Sequence, residues 1–390
     1  MTFDLARARA ETPGCQETLH LDAAGAALMP QAVIDAQIAQ IQLEARVGGY
    51  RAAELAGAAV ARTYDAVAEL LNCGSDEVAL VENATVGWNL AFHGLKLEAG
   101  DRVITAEAEY ASNYLAFLKA ARERGIEIVV VPSDNTGQLD AARLAELIDQ
   151  RVKLIAITHV PTNCGLVNPA AEVGRLAKAA GVPFLLDACQ SAGQMVLDVE
   201  RIGCDLLSAS GRKFLRGPRG SGFLYVRRGL LDRLEPPWPD LRSAHWTAAD
   251  AYELRPGARR FENWEFNYAA VIGLGVAIDH ALGWGLPAVE ARLKALAEAL
   301  RARLAGLPGA RLRDIGKERA AIVAFELDGH APSAAKAKLA EQGIIVSNST
   351  LNSTRLDMER RGLTETLRAS PHIYNSEAEL DRFVEALAAL

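Results

Sequence analysis

The chain has 390 residues, half of them apolar and 23% charged, with a formal net charge of −7. This is an ordinary globular composition, too long for one small core, and the acidic balance excludes a general nucleic-acid binder, which would need a basic face. Five cysteines (Cys15, Cys73, Cys164, Cys189 and Cys204) with no C-x-x-C pair argue against a disulfide framework and against a zinc site.

The first residues, Met-Thr-Phe-Asp-Leu-Ala-Arg, contain no basic segment followed by an apolar one, so no secretory signal is expected. The apolar stretch 268–282 contains Asp279 and His280 and is shorter than a bilayer span. The expected location is the cytoplasm. From residue 77 the chain alternates apolar runs with helical patterns. Strands are predicted at 77–81, 102–105, 126–131, 154–158, 184–186, 206–208 and 223–226. Helices are predicted between them at 85–95, 112–123, 141–149 and 169–180. Continuous Val/Ile/Leu runs suit strands covered on both faces, and repeated strand–helix units imply an α/β fold with a mostly parallel, doubly wound sheet. Ligands of such sheets bind at the carboxyl ends of the strands. Residues 230–260 hold Pro236, Pro237, Pro239 and several aromatics and read as an irregular loop, a candidate to cover the site. Helical patterns follow at 268–283 and 287–304, then strands at 321–326 and 344–346 and helices at 333–342 and 376–389. This second part reads as a smaller α+β unit.

Two segments carry the chemistry. The strand in Pro183-Phe-Leu-Leu-Asp-Ala-Cys-Gln190 ends in Asp187, with Gln190 three residues on. A Gly-rich turn, Ser208-Ala-Ser-Gly-Arg-Lys213-Phe-Leu-Arg-Gly-Pro-Arg-Gly-Ser-Gly222, places a lysine 26 residues after Asp187. The pair suggests a pyridoxal phosphate site. A lysine amine forms a Schiff base with the cofactor aldehyde, and a carboxylate keeps the ring nitrogen protonated so that the ring accepts electrons. The segment Glu82-Asn-Ala-Thr-Val-Gly-Trp88 follows a strand and opens a helix, where free N–H groups and the Thr85 hydroxyl suit either a phosphate or a simple helix cap.

With these residues in view, the chain resembles the class V aminotransferase family, the fold-type I pyridoxal phosphate enzymes that include cysteine desulfurases, selenocysteine lyases and isopenicillin N epimerase. The resemblance runs from about Leu21 to the end and rests most on Asp187-x-x-Gln190, Ser210-Gly-Arg-Lys213 and Arg368-Ala-Ser…Tyr374-Asn375. It implies a large cofactor-binding domain over 21–260, a small C-terminal α+β domain over 261–390 joined by 1–20, and a homodimer acting on a small amino-acid substrate. It implies Lys213 as the Schiff-base lysine and Cα base. Ala84, Thr85, Ser210 and Arg212 then surround the phosphate, and Tyr110, which is also a candidate catalytic residue, stacks on the ring. Gln190, with Thr162 or Asn163, reaches the phenolic oxygen. Arg368 grips the substrate carboxylate, beside the small-residue turn at Ala24 in Asp22-Ala-Ala-Gly-Ala26.

Two departures from the family shape the expected reaction. Desulfurases of this family hold a reactive cysteine on a loop shortly before the carboxylate-binding arginine. Here the segment between Val346 and Arg368 holds none, and no cysteine follows Cys204. The family's Gly-Thr pair after Arg-Phe-Glu is also missing from Arg260-Phe-Glu-Asn-Trp-Glu-Phe-Asn267. The reaction expected is therefore a carbon–sulfur β-lyase acting on an S-substituted cysteine or its sulfoxide, nearest to hercynylcysteine sulfoxide lyase and distinct from a persulfide-transferring desulfurase. Trp246, Trp264 and Tyr374 are candidates to line the pocket for a bulky substituent. The alternative is an epimerase or aminotransferase, with Tyr110 or His372 as a second proton donor in the epimerase version.

Overall fold

The computed structural model describes residues 3–390. Seven strands form the main sheet: Val78–Val81, Arg102–Ala106, Glu127–Val131, Val152–Thr158, Phe184–Asp187, Leu206–Ser210 and Gly222–Val226. In space their order is 78–81, 222–226, 206–210, 184–187, 152–158, 102–106, 127–131. Strand Gly222–Val226 is antiparallel to both of its neighbours, and the other pairs are parallel. This is the mostly parallel sheet that the strand–helix rhythm predicts.

Side-chain alternation divides the core in two. Phe184 and Leu186 pack into one cluster and Leu185 into the other. Leu207 and Ala209 oppose Leu206, and Phe223 and Tyr225 oppose Leu224 and Val226, in the same way. Period-two alternation puts successive side chains on opposite faces, so a strand covered on both faces needs apolar residues at every position. The helices close the layers at capped ends. Asn83 caps helix Ala84–Gly94 by accepting from the Val86 N–H, and Gly125 and Gly181 end helices Ala111–Arg124 and Ala170–Ala180 in the left-handed conformation.

A second sheet, antiparallel, has the order Ala310–Leu312, Val323–Leu327, Glu365–Ala369, Ser347–Thr350. Its core cluster joins Phe325 and Leu367 to Leu293, Leu296 and Leu300 of helix Leu286–Ala305, and to Ala8, Leu19 and Leu21 from the start of the chain. Helix Tyr268–Trp284, expected with the smaller unit, packs instead on helices Gln31–Val47 and Gly57–Leu71, and its Val271, Leu274 and Ile278 share the main sheet's cluster. The 230–260 segment is less irregular than its prolines suggest. It contains a hairpin, Ala244–Ala248 with Ala251–Leu254, whose Trp246 is 76% exposed.

Candidate active site

The carboxyl ends of the main strands open into a cavity of about 270 Å³. Ala84, Thr85, Tyr110, Thr162, Asp187, Gln190, Ser210, Arg212 and Lys213 all line it. Residues from five separate segments thus meet where the sheet topology places a ligand.

Lys213 is 8% exposed and sits in a tight turn: the Arg216 N–H donates to the Lys213 carbonyl, and the Gly217 N–H to that of Gly211. Gly193, at φ +91°, lies against the Phe214 backbone where a Cβ would collide. Only glycine suits that position, and it lets the segment after Asp187 close on the lysine turn.

Asp187 ends its strand 4% exposed. Its Oδ1 accepts from the Cys189 N–H and its Oδ2 from Asn113 Nδ2, each at 2.9 Å. Burial pushes its carboxyl up, while the charge of Lys213 and these hydrogen bonds oppose the rise. Among the described residues no arginine or lysine forms an ion pair with it. A buried carboxylate lacking a paired cation is costly unless a cation binds beside it, which a protonated pyridine ring would do.

The opposite end of the cavity suits an anion. A helix leaves its first four N–H groups without intrahelical acceptors. In helix Ala84–Gly94, Ser210 Oγ takes the Ala84 N–H at 3.0 Å, the Asn83 side chain takes that of Val86, and the Asn83 carbonyl takes that of Gly87. The Thr85 N–H remains for a ligand, beside its own hydroxyl and the Arg212 side chain. Arg219 and Ser221 also line this end. Gln190 donates through Nε2 to the Ala24 carbonyl and to Thr162 Oγ1, and its buried Oε1 has no partner. The donor and acceptor set at these two ends fits pyridoxal phosphate.

Three expected site residues lie outside the cavity lining. Asn163 turns away and donates to Asp357 Oδ2 at 2.8 Å, because that fully buried carboxylate, also held by Arg360 and Arg361, needs donors; this leaves Thr162 as the residue at the cavity. Ala24 stands behind Gln190, its N–H held by Ser370 Oγ. Arg368 stands behind Thr162, donating to its hydroxyl at 2.6 Å and to Asp22 Oδ1 at 2.9 Å, with its buried Nε unpartnered. The aromatic lining expected for a bulky substituent is also absent. Trp246 and Trp264 are exposed, and Tyr374 is buried with its hydroxyl at His20. His372 is buried against the Phe214 carbonyl, so it faces no substrate.

Sequence reading missed Glu109, Asn113 and Thr158. Asn113 and Thr158 line the cavity, and the two hold Glu109 and Asp187 in one buried network. The only local signal was that all three sit at or just after strand ends.

The family model for aminotransferase class-V matches residues 19–383. A cysteine desulfurase from Serratia proteamaculans is 34% identical, covering 99% of this chain and 98% of its own length. The apo structure of a cysteine desulfurase from Thermococcus onnurineus superposes with a TM-score of 0.92 at 28% identity, over 100% of this chain and 98% of that one. A cysteine desulfurase structure from Escherichia coli, in its S-sulfonic acid form, gives the same TM-score at 26% identity, with coverage of 100% and 98%. These likenesses overturn the expectation of a β-lyase set apart from the desulfurases. The missing loop cysteine bears on where the sulfur goes, not on the type of reaction.

Proposed function

Because the chain belongs to the aminotransferase class V family and is a pyridoxal phosphate-dependent lyase, we propose that it removes sulfur from L-cysteine as a persulfide, leaving alanine. The observation that carries this reading is the meeting of Lys213, Asp187 and Gln190 in one cavity of a chain that matches named cysteine desulfurases along its whole length.

Pyridoxal phosphate, when bound, supplies an aldehyde for the substrate amine and a ring that takes up electrons released at Cα. Lys213, which lines the cavity, would be the residue that holds this aldehyde and, once freed, the one that would carry the Cα proton. Asp187 would keep the ring nitrogen protonated, and Tyr110 would pack against the ring. The Thr162 hydroxyl and the Gln190 side-chain amide N–H would donate to the phenolic oxygen. The Thr85 N–H and hydroxyl, with Ser210 and Arg212, would hold the phosphate. Arg368 receives the substrate carboxylate.

The sulfur acceptor is a thiol from solution. No cysteine lies between Val346 and Arg368, Cys15, Cys164 and Cys204 are buried, and Cys189 is the only one of the five that lines the cavity. The reaction balances as L-cysteine plus RSH giving alanine plus RSSH. The acting species is proposed to be a homodimer.

The experiment supplies L-cysteine and dithiothreitol to the holoprotein and measures alanine, pyruvate and sulfide together, since the dithiol closes to its cyclic disulfide and releases the transferred sulfur as sulfide. Alanine and sulfide are expected in equal amounts, and Lys213→Ala abolishes both. Pyruvate and ammonia in place of alanine overturn the proposal. Cys189→Ser is expected to keep alanine formation; its loss would move the acceptor onto the protein.

A further inference from the structure

A second buried carboxylate lies behind Asp187, and the chemistry above does not use it. Glu109 follows strand Arg102–Ala106 and is 3% exposed. It accepts hydrogen bonds from Thr105 Oγ1 at 2.9 Å, the Tyr110 N–H at 2.8 Å, Asn113 Nδ2 at 2.9 Å and Thr158 Oγ1. Among the described residues no lysine, arginine or histidine pairs with it. The groups around it come from strands Arg102–Ala106, Val152–Thr158 and Phe184–Asp187 and from helix Ala111–Arg124. Those that ionise are Asp187 and Tyr110, with Lys213 beyond Asp187.

Asn113 connects the two acids. A side-chain amide has two hydrogens to give. Asn113 gives both to carboxylates, one to Glu109 Oε1 and one to Asp187 Oδ2, each at 2.9 Å. Turning the amide over would set its oxygen against two acceptors, so the carboxylates fix its orientation and it fixes theirs.

We propose that Glu109 is a positioning residue for the cofactor: through Asn113 it aims Asp187 at the ring nitrogen, and its own negative charge helps hold the proton there. The proposal rests on the pyridoxal phosphate reading of the cavity. Burial pushes the Glu109 carboxyl up to about 7, the charge of Asp187 adds to the rise, and the hydrogen bonds from Thr158, Asn113 and Thr105 oppose it. Its charge therefore changes across neutral pH. A negative charge near a protonated nitrogen favours the protonated form, and its loss weakens that form.

The test loads the full chain with pyridoxal phosphate carrying nitrogen-15 in the ring and fixes it to Lys213 with borohydride, so that no imine proton titrates. The ring nitrogen's chemical shift is then followed from pH 5.5 to 9. In the wild type it is expected to move with a midpoint near Glu109's value of about 7. In Glu109→Gln the movement at that midpoint disappears, and the nitrogen loses its proton about one pH unit lower than in the wild type. In Asn113→Ala the wild-type midpoint moves upward, because Glu109 loses a donor to its charged form. Superimposable curves for wild type and Glu109→Gln overturn the proposal. Should Glu109→Gln fail to fold, an unchanged midpoint in Asn113→Ala overturns it instead. A wild type that takes up no labelled cofactor overturns the cofactor reading itself, a result distinct from the other two.

Discussion

Asp187 is buried with donors on both carboxylate oxygens, and its charge is matched by no paired cation of the described chain. Asp187→Asn keeps the shape and removes that charge. It is expected to lower kcat about 10²- to 10³-fold, the usual cost of losing one preorganised electrostatic group, with the cofactor still bound; steady-state kinetics beside a cofactor absorption spectrum checks both parts. Arg368 is held by Asp22, so under the proposed function a substrate carboxylate would compete for it. Asp22→Asn is expected to lower KM for L-cysteine about three- to tenfold, as removing a competing state does, while Arg368→Ala raises it; substrate titration separates the two. Glu109 also ties stability to pH. Its folded-state value is raised above the unfolded one, so its contribution is fully present below the unfolded value and is lost as pH rises through about 7. Burial raises Asp187 as well, in the same sense. Melting curves of the cofactor-free protein between pH 5 and 8 are expected to fall less steeply for Glu109→Gln than for the wild type. Lys213 and Asp187 were legible in the sequence because a strand end and a Gly-rich turn are local patterns. Glu109 was not, because Thr158, and Asp187 through Asn113, arrive from other strands and only the folded sheet brings them together.

At the scale of elements, the strands were the most legible part, since residues such as Phe184, Leu185 and Leu186 are apolar on both faces and break only at turns. The helices Gln31–Val47 and Gly49–Leu55 were not read as elements. Their apolar residues are spread round the helix and several are exposed, with only Val33 and Gln40 buried in the first, so they give no sharp apolar stripe. The exposed hairpin around Trp246 was missed for the opposite reason: its aromatics face solvent and suggested a pocket that they do not line. One contact between elements has a large expected effect. Arg301 on helix Leu286–Ala305 meets Asp314 at 2.6 Å with both side chains buried, and it also donates to the carbonyls of Ala320 and Ile322. Removing one partner of a buried pair leaves an uncompensated charge. Asp314→Ala is therefore expected to cost about 3–5 kcal/mol in urea unfolding.

For the molecule as a whole, the fold class and the mostly parallel sheet followed from the strand–helix rhythm, but the packing of helix Tyr268–Trp284 did not. Its apolar residues run all round, and sequence alone does not say which core they join. One surface carries several exposed apolar side chains, Ile38, Ile41, Val47, Tyr50 and Trp264, around a groove of about 580 Å³. A smaller cleft joins that groove to the cofactor cavity: it shares Glu265, Phe266 and Asn267 with the groove, and Glu82 and Gly220 with the cavity. A second copy seated there would close the phosphate end, where Thr85 is exposed. Ile41→Asp combined with Trp264→Glu is expected to give a monomer by sedimentation velocity and to weaken cofactor retention. A dimer that persists in this variant would place the interface elsewhere.

The expectations for the active site depend on where the cofactor is attached. The direct measurement is borohydride fixation of the holoprotein followed by peptide mass mapping. A phosphopyridoxyl group found on Lys213, and lost in a Lys213→Ala protein, is the predicted result; the same mass on another lysine, or on none, would contradict the account.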